Sequence, residues 1–317
     1  MGVVRPLSLT VATLGLVACS RAPQGPAQAA PAQAATAKAS PGAAAAPSPA
    51  EVAAAIHARA GRRFTAVDLL RPDGQGELPF DVYLAPMIVQ ERLDAGTPGA
   101  PTPGEVVLGE DGRATVVAGD PTIYYARSTA RLGGEEREQL AFLWWYPGEG
   151  DGLRAQGMRM TLGRSGVPIL WEVLADPGGA RLVFVSETLE ERARQQHGEP
   201  LPGRRFSTER ALEEAPQAVV ARAILNGAMP MGPFVYLEAG SRAARTLLCR
   251  CSPAEYDDVA GETLYRLVGL ATLGEQGLEK SAWTAELPAL TGDAPGPQRE
   301  DAAPNWLEGV LRLPDGV

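Results

Sequence analysis

Cys249-Arg250-Cys251 is a local pattern whose residue types and spacing could carry chemistry. On a β-strand, residues i and i+2 face the same side, about 6.6 Å apart. The Cα atoms of a disulfide usually lie roughly 4.4–6.8 Å apart. An extended C-x-C segment therefore closes only at a bend or bulge, and the bond it forms is predicted to be strained and easily reduced.

Three interpretations of this cysteine pair remain open. The pair could be a structural crosslink or two packed thiols. It could carry redox chemistry, because Arg250 and a helix predicted to begin after Ser252 would favour a thiolate. It could also bind Cu(I) as a cofactor together with Met229 and Met231, since Cu(I) prefers soft sulfur ligands.

Two aromatic-rich segments form a second candidate site. Tyr124 and Tyr125 lie in one predicted strand, and Trp144 and Trp145 lie in another. Adjacent residues in a strand point to opposite faces, so at least one tryptophan is either covered by another layer or exposed. Exposed rings could stack on a glycan or a partner protein, whereas buried rings would stabilise the sheet across its strands.

The composition argues against several common enzyme classes. The chain has two histidines, His57 and His197, so it can form neither a three-histidine zinc site nor an H-E-x-x-H helix. Residues 150–155 spell G-x-G-x-x-A, but a strand is predicted after them where a dinucleotide site requires a helix. A hydrolase would have to use His197, which lies at a predicted helix C-terminus where an imidazolium suits the dipole. Catalysis is therefore the less favoured interpretation.

The elements that must position these residues are predicted to be mainly strands. In residues 157–162, methionine and leucine alternate with arginine and threonine, which is typical of a half-buried strand. Turns at 164–166 and 177–179 lead to further strands at 167–174 and 181–185. These three strands are predicted to form an antiparallel meander.

The rest of the chain adds further strands and a few helices. Strands are predicted at 80–84 with the run to 89, at 105–108 and 114–117 as a hairpin, and at 122–125, 140–146, 234–237 and 246–251. Helices are predicted at 51–60, 188–196, 216–225 and from Ser252, where Ser-Pro-Ala-Glu fits a helix start. Residues 306–313 are predicted to be a docked tail. The expected fold class is α+β, with a mainly antiparallel sheet and a few short helices.

The charge of the chain disfavours nucleic acid as a partner. The formal net charge is −9, and the basic pairs at 62–63 and 204–205 stand isolated among many acidic residues. Binding to nucleic acid requires basic patches that neutralise phosphates. The acidity favours solubility and indicates no specific ligand.

The N-terminus indicates export. Arg5 precedes an apolar run from Leu7 to Ala18, which is too short to span a bilayer and has the size of a secretory signal. The residues Leu16-Val17-Ala18-Cys19 resemble the lipobox of bacterial lipoproteins. The resemblance covers only this signal, and it implies that Cys19 is acylated and becomes the first residue of the mature protein. Ser20, directly after it, is typical of lipoproteins exported to the outer membrane.

These observations predict three regions. They are a signal peptide at 1–18, a disordered Ala/Pro-rich tether at 19–50 that reaches at most about 90 Å, and a globular domain at 51–317 with a sub-boundary near 188–206. The chain is expected to be a lipid-anchored lipoprotein of the cell envelope, facing the periplasm or the cell surface. Its membrane contact is the anchor, and its domain binds an envelope protein, a glycan or another unknown ligand, or serves a structural role. The alternative function is thiol redox chemistry or Cu(I) binding at the cysteine pair.

Overall fold

The computed structural model describes the part of the chain that follows the predicted signal and most of the tether. The described residues are 46–74, 80–93, 101–108, 114–147, 153–225, 227, 231–272 and 306–317. Residues 46–317 form one compact unit. No helix within the described residues has both the length and the apolar character needed to cross a bilayer.

The strands, numbered along the chain, occupy most of this unit. They are β1 (Phe64–Pro72), β2 (Met87–Arg92), β3 (Glu105–Leu108), β4 (Ala114–Val117), β5 (Thr122–Leu132), β6 (Glu135–Pro147), β7 (Leu153–Leu162), β8 (Pro168–Leu174), β9 (Arg181–Ser186), β10 (Ala218–Ile224), β11 (Pro233–Leu237), β12 (Ala244–Cys249) and β13 (Tyr256–Gly269).

The helices of the described residues are short. They are α1 (Pro49–Ala60), α2 (Phe80–Leu84), α3 (Glu187–His197) and α4 (Trp306–Val310). Helix α1 begins at a capping box in which Ser48 and Glu51 satisfy each other's backbone N–H groups. The predicted helices at 51–60 and 188–196 are confirmed as α1 and α3.

Eleven of the strands form one mixed sheet, which curls into a nearly closed, barrel-like shape. The strand order is β10-β9-β8-β7-β6-β5-β13-β1-β2-β11-β12, and β3 pairs with β4 in a separate hairpin. Most neighbours are antiparallel, including the run from β5 to β9 that contains the predicted meander. The mainly antiparallel sheet with a few short helices is therefore confirmed, as is the β3–β4 hairpin.

Three predicted elements are wrong. Residues 216–225 contain strand β10 instead of a helix, because this short apolar run pairs in parallel with β9. Buried parallel strands carry continuous apolar sequence, which periodicity alone cannot distinguish from a helix. Ser252 starts no helix, since Glu255 binds two arginines and β13 begins at Tyr256. Residues 80–84 form α2 instead of a strand.

The interior of the barrel is filled by alternate side chains from most strands. Met158, Met160 and Leu162 of β7 point into it, as the period-2 pattern predicts. The opposite face of β7 was predicted to be solvated, but Arg159 and Thr161 are also buried. A second layer covers this part of the sheet.

That second layer is the C-terminal segment, which docks as predicted for residues 306–313. Leu307, Leu311 and Val317 pack on the outer side of the sheet. The indole N–H of Trp306 donates to Glu172, 2.6 Å from Oε1, and Glu172 forms a bidentate ion pair with Arg159. The tail thus covers a buried ion pair whose two charges satisfy each other.

The sheet ends in two strands, β10 and β12, which approach each other without a hydrogen-bonded ladder. We call this boundary the seam. Helix α1 packs against both strands and contributes Ala53 and Ile56 to the interior core. Its His57 ring also contacts the carbonyl of Val220 in β10, with Nε2 3.0 Å from the oxygen. The helix therefore closes a gap that backbone pairing leaves open.

Glu255 connects the two sides of the seam. Its Oε1 accepts from Arg222 of β10 at 2.9 Å, and its Oε2 accepts from Arg245 of β12 at 2.9 Å. The Arg245 side chain is fully buried, and its guanidinium lies over the rings of Phe64 and Tyr236. Burial lowers the pKa of this guanidinium, and Glu255 raises it. One carboxylate therefore neutralises cations from both edge strands.

Asp176 links the first residue of β12 to α1. Its Oδ1 accepts from the backbone N–H of Ala244 at 2.7 Å, and its Oδ2 lies 3.9 Å from Arg59 Nη2. The carboxylate is only 1% exposed, and burial raises its pKa above the ordinary value near 3.8. The hydrogen bond from Ala244 and the charge of Arg59 only partly offset this rise.

Replacing Glu255 by glutamine should weaken the seam. We expect the Glu255→Gln variant to lose about 2–4 kcal/mol of unfolding free energy, because it leaves the buried Arg245 without its counter-charge. Urea unfolding followed by tryptophan fluorescence measures the loss. Glu262→Gln is the matched control, since its exposed pair with Arg71 should contribute less than about 1 kcal/mol. Equal losses in the two variants would contradict the role of Glu255.

Asp176 should make stability depend on pH in a defined direction. When the pKa of a carboxyl is higher in the folded protein than in the unfolded chain, the group stabilises the fold fully at pH values below its pKa in the unfolded chain. This contribution is lost as the pH rises through its pKa in the folded protein. Wild type should therefore lose stability relative to Asp176→Asn as the pH rises above about 4. Urea unfolding of both proteins between pH 3.5 and 7 tests this, with the exposed Asp257→Asn as control. The prediction would be refuted if the difference in unfolding free energy between wild type and Asp176→Asn stayed constant with rising pH, or if it grew in favour of wild type.

Candidate functional site

Strand β12 has a cleft at each end. The antiparallel ladder with β11 runs from Leu237 opposite Ala244 to Pro233 opposite Cys249, so the two ends are well separated. A cleft of about 240 Å³ lies at the first end and one of about 330 Å³ lies at the second. We call them the Arg242 cleft and the disulfide cleft.

The Arg242 cleft takes its shape from the turn between β11 and β12 and from the end of β2. Its lining includes Gln90, Glu91, Arg92, Glu238, Gly240 and Arg242. Most of these charges are already neutralised. Arg92 pairs with Asp68, and Arg62 pairs with both Glu91 and Glu238.

Arg242 differs from the other charges of the cleft. Its backbone has φ of 57°, in the left-handed region that a residue with a side chain rarely adopts. The guanidinium lies 3.9 Å from the centre of the Tyr146 ring. Burial lowers its pKa, the Tyr146 phenol raises it, and nearby Arg154 lowers it again. Among the residues that the structure describes, no carboxylate pairs with Arg242.

Gln90 provides an unsatisfied polar atom beside this cation. Its Nε2 donates to the hydroxyl of Tyr146 at 2.7 Å, while its Oε1 is buried and has no hydrogen-bond partner among the described residues. Burial raises the pKa of Tyr146 to about 12, so the phenol stays protonated at neutral pH. Within the described part of the chain, the cleft therefore contains a cation without a counter-charge, and a buried acceptor without a partner belongs to one of its lining residues.

At the other end of β12, Cys249 and Cys251 are joined in a disulfide with Cα atoms 5.1 Å apart. Cys249 is the last residue of the strand, and Arg250 and Cys251 turn away from it, which supplies the bend that a C-x-C bridge needs. Cys249 is half-buried, whereas Cys251 is exposed. The disulfide cleft extends from Cys249 to charged residues of β10 and the seam, among them Arg222 and Glu255.

The predicted soft-metal set is only partly described. Met231 lies two residues before Pro233, the partner of Cys249 in the ladder, whereas Met229 lies outside the described residues. Bridged sulfurs are not thiolates, so Cu(I) binding here would require prior reduction. The described residues contain no cluster of three or more His, Cys, Asp or Glu side chains suited to a metal.

The aromatic residues predicted as a binding face lie inside the protein. Trp144 fills the barrel interior, and Trp145 packs with Tyr124 beneath the β3–β4 hairpin. The rings of Tyr124 and Trp145 meet edge to face at 5.4 Å, and the Tyr124 hydroxyl accepts from the backbone N–H of Val106. Tyr125 is partly buried against the interior core. Trp144, Trp145 and Tyr124 are at most 1% exposed, so these three cannot present a ring face to a ligand.

The remaining candidates are His197 and Cys19. The Nε2 of His197 lies 3.3 Å from the carbonyl oxygen of Leu313, so this histidine contacts the C-terminal tail at the end of α3. Cys19 lies outside the described residues.

Sequence reasoning missed Arg242 and Gln90. The turn between two predicted strands was visible, but nothing distinguishes Arg242 among the 29 lysines and arginines of the chain. Arg242 differs from them because no carboxylate of the described residues pairs with it, and this depends on where the carboxylates lie in space. Comparisons with family models, curated proteins and solved structures found no match to this chain.

Proposed function

We propose that this protein is a lipid-anchored envelope lipoprotein whose barrel-like domain binds a small anionic molecule without transforming it. The observation that carries the binding role is Arg242, a half-buried cation with no carboxylate partner among the described residues. A buried charge without a partner is costly, and an anionic ligand would offset that cost.

The backbone at Arg242 supports the same conclusion. Holding a non-glycine residue in the left-handed region costs of order 1 kcal/mol or more, and such residues cluster at ligand sites. The neighbouring turn bonds keep it there: the backbone N–H of Arg242 donates to Glu238 at 2.9 Å, and that of Glu238 donates to Ala243 at 3.0 Å. The turn thus presents the guanidinium against Tyr146 in a fixed position.

The size and lining of the cleft limit the ligand. Its volume of about 240 Å³ lies below the roughly 300–1,000 Å³ of pockets for drug-sized molecules. A guanidinium binds carboxylate or phosphate with two parallel hydrogen bonds. A small organic acid or inorganic phosphate therefore fits the charge and the size of this cleft.

Binding without catalysis is favoured by the state of the other groups. Glu91 and Arg92 are held in ion pairs, and the Tyr146 phenol is too weak an acid to exchange protons near pH 7. A general base needs a pKa near the working pH. The described lining therefore orients charge and supplies no proton-transfer group.

The anchor should be visible in the mature protein. We expect mass spectrometry of the membrane fraction to find a chain that begins at Cys19 and carries added acyl mass. Cys19→Ser should move the protein out of the membrane fraction, because acyl chains bind through about 0.8 kcal/mol per buried CH₂. Ser20→Ala is the matched control and should stay membrane-bound. An intact Met1, or a trimmed terminus without acyl mass, would refute the anchor.

Ligand binding should depend on Arg242. Titration calorimetry of the purified protein with succinate, malate, glutamate and inorganic phosphate should detect at least one binder. We expect Arg242→Gln to weaken it about 10- to 100-fold, which is typical for loss of hydrogen bonds to a charged group. Arg71→Gln removes the same charge from an exposed pair on β1 and should leave affinity unchanged. Equal affinity in wild type and Arg242→Gln, or no binding by wild type, would contradict the proposal.

A further inference from the structure

We propose that the Cys249–Cys251 bridge is a thiol–disulfide exchange site, which an external dithiol reduces by attack on the Sγ of Cys251. This activity goes beyond the ligand binding proposed above and lies at the other end of β12. It requires an accessible sulfur, a stabilised leaving sulfur and a fold that tolerates the open form.

Exposure distinguishes the two cysteines. Cys251 is exposed in a turn, whereas Cys249 is half-buried and packs against the interior core of the barrel. Exchange requires the attacking thiolate to reach one sulfur of the bridge, and the rate depends on which sulfur it reaches. The structure therefore directs attack to Cys251 and makes Cys249 the leaving group.

A hydrogen-bond donor is already in place for that leaving group. The backbone N–H of Cys251 points at the Sγ of Cys249, with the nitrogen 3.1 Å from the sulfur. When the S–S bond breaks, this sulfur becomes a thiolate, and the donor stabilises the new charge. The intervening Arg250 donates to the carbonyl of Ala85, which fixes the turn while the bond opens.

The bridge contributes little as a crosslink. A disulfide stabilises mainly by restricting the unfolded chain, and the effect grows with the length of the closed loop. Only Arg250 lies between these two cysteines. The main contacts at this end of β12 are the ladder with β11 and the Glu255 ion pairs, and neither includes the S–S bond.

The reaction balances with a dithiol as the reductant. One thiolate of the dithiol bonds to Cys251 Sγ, the S–S bond breaks, and Cys249 Sγ leaves with the bonding electron pair. The second thiolate of the dithiol then attacks the dithiol sulfur that is bonded to Cys251. The bond between that sulfur and Cys251 Sγ breaks, and Cys251 is released as a thiolate. The dithiol is oxidised to a disulfide, and its two protons end on the two cysteines.

Trapping the mixed disulfide tests the direction of attack. The purified full-length protein is treated with the monothiol 2-mercaptoethanol, and the reaction is stopped with iodoacetamide. Trypsin cleaves at Arg245, Arg250 and Arg266, so the two cysteines fall in separate peptides, 246–250 and 251–266. Mass spectrometry should find the mercaptoethanol adduct on 251–266 and the carbamidomethyl group on 246–250, in at least about tenfold excess over the reverse pattern.

Melting temperature tests whether the open form is folded. Protein reduced with dithiothreitol should melt within about 5 °C of the oxidised protein. The double variant Cys249→Ser, Cys251→Ser serves as control and should match the reduced wild type. An adduct on 246–250 or spread evenly over both peptides would overturn the proposal. So would a bridge that opens only in denaturant, or a reduced form that no longer melts cooperatively.

Discussion

The closure of this barrel depends on side chains that join two strands without a backbone ladder. Strands β10 and β12 lie at opposite ends of an eleven-stranded order, and no hydrogen-bonded ladder joins them. Exposed sheet edges leave unpaired backbone groups that invite aggregation, so proteins cover or pair them. Here α1 covers the seam, and Glu255 holds Arg222 and Arg245 across it. The interior core, to which α1 contributes Ile56, lies directly behind this seam.

The sequence predicts the local parts of this fold well. The alternation in β7 and the turns after it determine the meander, because period 2 and turn residues act over a few positions. Helix α3 is likewise fixed by its own sequence, with Ser186 capping it and Gly198 ending it. These elements need no information from distant residues.

The predictions that were wrong concern elements whose structure depends on contacts with residues far along the chain. The run at 216–225 became β10 because β9 offered a parallel edge, and Arg159 is buried because the C-terminal tail covers it. The Ser252 segment has the residues of a helix start, but Glu255 binds arginines from two strands instead of capping. In each case a partner far along the chain outweighs the local propensity.

The same reasoning explains which site residues the sequence could reveal. The cysteine pair could be found because its chemistry lies in residue type and spacing. Arg242 could not be found from the sequence. An arginine becomes a candidate ligand site only when the nearby carboxylates of the folded protein pair with other cations. Glu91 and Glu238 are both taken by Arg62, which leaves Arg242 as the unpaired cation of the cleft within the described chain.

Both candidate sites lie where the ladder of β12 stops, and this has a physical reason. Inside a ladder the backbone is held extended and each side chain is confined to one face of the sheet. The turn before β12 can hold Arg242 in a left-handed conformation, and the turn after it can bring Cys251 back towards Cys249. Neither geometry is possible within the strand. The candidate groups of β12 are therefore found just beyond Ala244 and Cys249, where its ladder with β11 ends.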